Sequence, residues 1–206
     1  RPRVHGSVLT MGQLPICSYT NDIYPELLLF WGHNPIYSGP DGELGFGVKE
    51  ALARKPKIIV VDPRETMLAK RADVWLQLRP GTDDALGLAM LNVIIEEGLH
   101  DKEFVDKWCY GFDELAARVT DYTPEWAEPI TWCKAADIRK AARLYAEVKP
   151  SMLEWGCAIE HTPACFQTVR ALLCLPSITG NIDQPGSWSF GMTPLPPFPQ
   201  LFDKMP

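Results

Sequence analysis

No two of the six cysteines (17, 109, 133, 157, 165 and 174) stand in a CxxC spacing, and the four histidines are scattered along the chain. That excludes a zinc finger or ribbon and offers no disulfide framework, so most of the thiols read as small core residues. No apolar run approaches the ~18 residues needed to span a bilayer, and the amino terminus has no signal-like pattern. Positive charge is also short. A net charge of −6 and a pI near 5.2 argue against nucleic acid as a partner. There is no repeat of solenoid length, and the glycines of residues 39–47 do not form a GxGxxG after a strand. What is there is ordinary globular material: 206 residues, 46% hydrophobic and 22% charged. That suffices for one large domain, or a domain with an appendage, around a real core. Arg1 rather than Met opens the chain, so either an upstream segment has been removed or a longer parent protein is expected.

The most informative stretch is residues 57–84, KIIVVDPRETMLAKRADVWLQLRPGTDD. Ile58 to Val61 is a short β-branched run without alternation, the pattern of a strand buried on both faces in a parallel sheet. Pro63 cannot continue a ladder, so the strand stops there and presents Asp62 and Arg64 at its carboxyl end. Open α/β sheets bind ligands at such ends. A second strand, residues 74–78, runs into Arg79-Pro80-Gly81-Thr82-Asp83, a tight turn opening a helix. Gly81 permits close backbone approach, Thr82 suits an N-cap, and Asp83 and Asp84 complement the helix dipole. A carboxylate accepts two parallel N–H bonds, so the pair suits a guanine edge, a ribose or an arginine better than a phosphate. Alternatively, Asp62 and Asp83 merely cap and solvate turns.

The same construction recurs. Residues 26–31 (ELLLFW) end in Gly32-His33-Asn34-Pro35, where Gly32 permits close approach, Asn34 both donates and accepts, and Pro35 fixes the exit. Residues 151–156 (SMLEWG) form another short strand ending in Gly, with Glu160 and His161 in a polar loop beyond it. Helices are expected over 48–54, 82–97 (with Gly98 as C-cap), 101–108, 113–119, from Thr123-Pro124 onward, 134–147 and 165–175. Residues 1–22 read as an amino-terminal loop segment, 23–186 as the domain, and 187–206 as an extended, irregular Pro-rich tail. Residues 39–47 read as a mobile loop. The order of elements gives an α/β fold with a mostly parallel sheet, its strand ends punctuated by Gly, Pro or carboxylate along one edge.

These residues, in this order, resemble the molybdopterin oxidoreductases, the bis-molybdopterin-guanine-dinucleotide enzymes that include formate dehydrogenases, dimethyl sulfoxide reductase and polysulfide reductases. The resemblance lies in Trp31-Gly32-His33-Asn34-Pro35, Val61-Asp62-Pro63-Arg64-Glu65-Thr66, Ala72-Asp73 and Arg79-Pro80-Gly81-Thr82-Asp83. It continues through Tyr122-Thr123-Pro124-Glu125, Ile138-Arg139, Ala142-Arg143, Trp155-Gly156 and Thr179-Gly180-Asn181-Ile182. It implies a Rossmann-like three-layer domain holding one pterin dinucleotide. Trp31, Gly32, Asn34 and Pro35 would meet the dinucleotide, Asp62 the guanosine portion with Arg64 beside it. Pro80 and Gly81 would let the cofactor approach, Asp83 would bind the guanine edge, and Gly156 and Glu160 would lie near the pterin.

The chain also departs from the family pattern. Family members are several times longer, so this chain corresponds to the central cofactor-binding domain. An iron–sulfur cluster would belong to a preceding segment, not to these residues. Trp132 stands where the family usually has Gly after Thr131, which is expected to change a local turn. The family's metal ligand comes from a loop before the first strand. Cys17 lies in such a loop and is the candidate ligand to molybdenum or tungsten, or else an ordinary loop cysteine. His161 is a further candidate for the reaction itself.

The function implied is that of part of a molybdenum- or tungsten-dependent oxidoreductase catalytic subunit. Such an enzyme passes an oxygen atom, or hydrogen and electrons, to or from a small substrate. Its partners would be the rest of the subunit and an electron-transfer subunit, with no nucleic acid and no transmembrane segment. The compartment stays open between cytoplasm and periplasm. The rival is a non-catalytic nucleotide-binding module on the same fold.

Overall fold

The computed structural model describes residues 2–17, 23–38 and 42–190. Its centre is a four-stranded sheet of β2 (Leu27–Trp31), β3 (Lys57–Val61), β4 (Val74–Leu76) and β5 (Ser151–Trp155), in the spatial order β4-β3-β2-β5; a separate pair, β1 (Ile16–Cys17) and β6 (Trp188–Ser189), flanks it. The four central strands are parallel throughout. Every residue of β2 and β5 is buried, as is β3 after Lys57. Continuous apolar runs in place of alternation are what a sheet covered on both faces requires.

The register fixes the site. Trp31 lies opposite Val61 on one side and Trp155 on the other, and Val61 lies opposite Leu76. The residues that follow, Gly32, Asp62, Gln77 and Gly156, therefore emerge along one carboxyl edge. From β2 the chain steps outward to β3 and β4, then returns to place β5 on the other flank of β2. That reversal makes the β2–β5 junction the topological switch point, where connecting loops part and α/β sheets bind ligands.

Around the sheet run α1 (Pro2–Met11), α2 (Pro35–Ser38), α3 (Gly42–Ala53), α4 (Asp83–Glu96), α5 (Lys102–Trp108), α6 (Phe112–Val119), α7 (Pro124–Thr131), α8 (Ala135–Glu147) and α9 (Cys165–Ile178). Helix α4 is buried over most of its circumference and packs against α7, α8 and α9, the position its all-round apolar sequence calls for. Asp101 and Thr123 cap α5 and α7, accepting from the backbone N–H of Phe104 and Trp126. Thr82 occupies the cap position of α4, but its hydroxyl donates to Arg79 O at 2.7 Å instead of accepting from the helix. Trp132 closes α7 in the left-handed region at φ 65°, the conformation a glycine takes without strain. Its ring lies 5.5 Å from the Arg79 guanidinium.

Several expectations need correction. Residues 2–11 are helix α1, not loop. Gly6 and Ser7 are buried, and a Cβ on Gly6 would meet Val169 at 2.7 Å, so small residues let α1 lie close on α9. Tertiary packing overrides the weak helix propensity of such a segment. Residues 16 and 17 are strand, while 18–22 lie outside the described residues. The expected loop of 39–47 gives way to α3 from Gly42 onward, with 39–41 outside the described residues. Glu160 and His161 end a 3-10 turn, Cys157–His161, and do not form an open loop. The tail was expected from 187, yet Ser187 and Trp188 are buried. Trp188 Nε1 donates to Leu153 O at 2.6 Å, and β6 pairs with β1 to cover the open edge of β5. Residues 191–206 lie outside the described residues. No described helix is long and apolar enough to cross a membrane.

Candidate functional site

At the switch point the backbones of the β2 and β5 ends nearly touch. Gly156 N donates to Trp31 O at 3.1 Å, and Gly32 N donates to Val61 O at 2.8 Å, so the ladders run to the edge. A Cβ on Gly156 would fall 2.3 Å from Gly32 O and 3.3 Å from His33 Cα. Only hydrogen fits there. Gly32 turns the chain at φ 55°, with Ala158 Cβ 3.1 Å from where its own Cβ would lie. Each glycine thus answers a close approach that a side chain would block.

The carboxylates divide into two kinds. Asp62 is buried and turns back on its own loop, Oδ1 accepting from Arg64 N at 2.8 Å with Arg64 Nε at 3.5 Å. Its backbone oxygen accepts from Trp75 Nε1 at 2.9 Å. The Arg64 side chain is largely exposed, and Pro80 and Gly81 are exposed in the turn before α4. Gly81 has φ 83°, and a Cβ there would meet nothing within 4 Å, so the turn is open to an approaching molecule. Asp83 is 8% exposed, and its Oδ1 accepts from Trp31 Nε1 at 2.8 Å. Burial pushes its carboxyl above the ordinary value, against the pull of the Trp31 indole and the amides of Asp83 and Gly81; Asp84 adds to the rise. Desolvation thus outweighs the hydrogen bonds that favour the ionised form.

Asn34 stands on the same edge. Its side-chain Oδ1 is buried without a partner, while its backbone oxygen accepts from Ser38 Oγ at 2.8 Å and begins α2 at buried Pro35. Glu160 is half-buried and His161 exposed in the 3-10 turn after β5. Cys17 is not brought to this edge. Its thiol lies 3.8 Å from Leu153 O, beside the middle of β5. Burial pushes that thiol far up, with Glu154 adding to the rise and Arg3 and Trp188 opposing it. No His, Cys, Asp and Glu cluster of metal-binding form occurs among the described residues.

Two residues escaped the sequence reading. Glu154 is buried in β5, opposite Phe30, and His33 Nδ1 lies 3.2 Å from its Oε2. The pair is an electrostatic contact and not a hydrogen bond. A glutamate inside the apolar run SMLEW was the available signal.

The edge fits a dinucleotide in three respects. The unpartnered Asn34 Oδ1 offers a buried acceptor, which a ligand donor would relieve of its desolvation cost. Gly32 and Gly156 let the β2 and β5 ends close on each other at the switch point, and Gly81 leaves the α4 turn open. Two variants probe this geometry. Gly156→Ala should lower unfolding free energy by about 1–3 kcal/mol in urea titration, because backbone must move to admit the methyl group; unchanged stability would contradict the close approach. For Asp83, a raised carboxyl value means stability that is present below the ordinary aspartate range and lost as pH rises through the folded value. Wild type should therefore be most stable relative to Asp83→Asn in acid, the difference shrinking toward neutrality.

Comparison with known proteins agrees with the geometry. Residues 15–195 match the family model described as molybdopterin oxidoreductase. The chain is 46% identical over 134 residues to acetylene hydratase of Syntrophotalea acetylenica, covering 65% of this chain and 18% of that protein. It is 38% identical over 185 residues to formate dehydrogenase H of Escherichia coli (strain K12), covering 89% of this chain and 26% of that one. The solved structure of acetylene hydratase from Pelobacter acetylenicus superimposes with a TM-score of 0.79 at 39% identity, over 86% of this chain and 24% of the other. The chain thus spans about a quarter or less of the length of these relatives. It belongs to the molybdopterin oxidoreductase family.

Proposed function

We propose that this chain is the dinucleotide-binding domain, within residues 23–186, of a molybdenum or tungsten bis-pterin enzyme, and that its carboxyl edge holds one molybdopterin guanine dinucleotide. The observation that carries this reading is the switch-point crevice, where Gly32, Gly156 and the unpartnered Asn34 Oδ1 meet. When bound, the cofactor supplies a metal centre for oxygen-atom or for hydrogen and electron transfer with a small substrate. The chain's own work is to bind and orient. Gly81 admits the cofactor to the backbone, Gly32 and Gly156 hold the two strand ends together beside it, Asn34 accepts from it, and Asp62 and Arg64 flank the guanosine portion. Asp83 accepts from the guanine edge through the oxygen that Trp31 leaves available. Pro80 and Glu160 shape the walls, Trp31 and Pro35 support them from the core side, and His161 stands at the pterin end. The rest of the catalytic subunit completes the cradle and supplies the metal ligand, an electron-transfer subunit carries the electrons, and any iron–sulfur cluster belongs outside these residues. By itself the chain is inactive.

Purified full-length enzyme should contain molybdenum or tungsten together with pterin and guanine nucleotide. Guanine nucleotide without metal or pterin would favour a non-catalytic nucleotide module. In the same enzyme Asp83→Ala should lower dinucleotide retention at least tenfold, since a charge-assisted bond contributes about 1.5–3 kcal/mol and about 1.4 kcal/mol is tenfold. Asp84 lies one residue on and accepts from Ala85 N, so Asp84→Asn should leave retention unchanged. Equal loss in both would reduce Asp83 to a helix-cap carboxylate.

The identity to an acetylene hydratase favours a second reaction class on the same cofactor, addition of water in place of electron transfer. Turnover that reduces or oxidises an artificial dye in step with product identifies the redox enzyme. Product formation without net electron transfer identifies the hydratase class.

A further inference from the structure

We infer that His33 is a binding residue of the switch-point crevice, held by Glu154 and offering its Nε2 to an N–H of the bound cofactor's heterocycle. The inference rests on reading the carboxyl edge as a dinucleotide cradle. It starts from a cost. Glu154 is a carboxylate in a strand buried on both faces, with 2% of its side chain exposed. Removing a carboxylate from water is unfavourable, and replacing a buried ion pair by apolar residues of similar volume is often neutral or stabilising. Packing alone therefore does not account for Glu154 between Leu153 and Trp155.

One group that faces it is His33. His33 follows Gly32 at the end of β2, so the pair bridges β2 and β5, the two strands whose loops part at the switch point. His33 Nδ1 is buried and faces Glu154 Oε2 at 3.2 Å, while 21% of the side chain remains exposed. The exposed part of the ring is therefore the part away from Nδ1. A bare Nδ1 lone pair beside a carboxylate would be repelled, so the tautomer that suits Glu154 carries its proton on Nδ1 and leaves Nε2 as an acceptor. A carboxylate that orients a histidine and fixes its tautomer is a recurrent way to prepare the other nitrogen for a ligand. Beside it, Asn34 Oδ1 is a second buried acceptor without a partner. Two acceptors on adjacent residues suit the N–H-rich edge of a pterin or a guanine.

Two amide substitutions separate binding from scaffolding in the full-length enzyme. His33→Asn places an amide where Nδ1 was, keeping a donor for Glu154 and losing the group at Nε2. His33→Gln places its amide near Nε2 and loses the tie to Glu154. The inference predicts that His33→Asn retains at least tenfold less pterin and guanine nucleotide with its melting temperature unchanged, whereas His33→Gln retains cofactor near the wild-type amount. A purely structural histidine predicts the reverse: full retention in His33→Asn, and a lowered melting temperature with cofactor loss in His33→Gln. That result would overturn the inference, as would equal cofactor content in both variants. Titration of cofactor-free enzyme with GDP then locates the contact. Weaker GDP binding in His33→Asn assigns Nε2 to guanine; unchanged GDP binding with reduced cofactor assigns it to the pterin. Wild-type enzyme lacking pterin and guanine nucleotide would instead remove the dinucleotide reading beneath.

Discussion

The hydrogen bond from Trp31 Nε1 to Asp83 Oδ1 joins the parts of the molecule that have to agree for a site to exist. Trp31 ends β2 at the centre of the sheet, and Asp83 begins α4, the helix around which α7, α8 and α9 pack. Both side chains are buried. Breaking the bond would strand an indole N–H and a carboxylate away from water, a larger penalty than the bond's own net contribution. The open turn at Gly81 is thereby fixed against the Gly32 loop. The same bond has an electrostatic consequence. It lowers the cost of a buried carboxylate without cancelling it, and Asp83 holds its proton more tightly than an exposed aspartate does.

Parallel register supplies the second constraint. Because β2 pairs in step with both neighbours, strand ends 124 positions apart in sequence, such as Trp31 and Trp155 (155 − 31), arrive side by side. At that junction Gly32 and Gly156 allow a backbone approach that no side chain would permit. The edge strand β5 would remain open on its far side, but the β1–β6 ribbon covers it through Trp188, with the Cys17 thiol close by. Cys17 and Trp188 both pack against Leu153 O on that side.

Much of this was legible from local chemistry. The runs LLLFW, KIIVV and SMLEW, each followed by Gly or Asp and a change of polarity, located three strands and their shared carboxyl edge, because continuous burial and abrupt termination leave local marks. Asp101, Thr123 and Gly98 marked helix boundaries for the same reason. Helix α1 was not legible: PRVHGSVLTM has a weak helical pattern, and it is the surface of α9 that makes it fold. Nor was the partnership of Trp31 with Asp83, or of His33 with Glu154, since residues 52 and 121 positions apart (83 − 31 and 154 − 33) meet only through the sheet. Cys17 looked like a loop thiol because its neighbours are small and polar, and the β6 strand that encloses it lies far along the chain.

The family relation and the fold agree with each other over a chain that spans about a quarter or less of the length of its relatives. The account's central claim is that the carboxyl edge at the β2–β5 switch point is the nucleotide cradle. The most direct measurement is a crystal structure of the full-length enzyme with its cofactor bound. The account predicts guanine dinucleotide against Gly32, Asn34 and Gly156, reaching toward Asp62 and the Gly81 turn. A cofactor held at the opposite edge of this sheet, or making no contact with these residues, would contradict it.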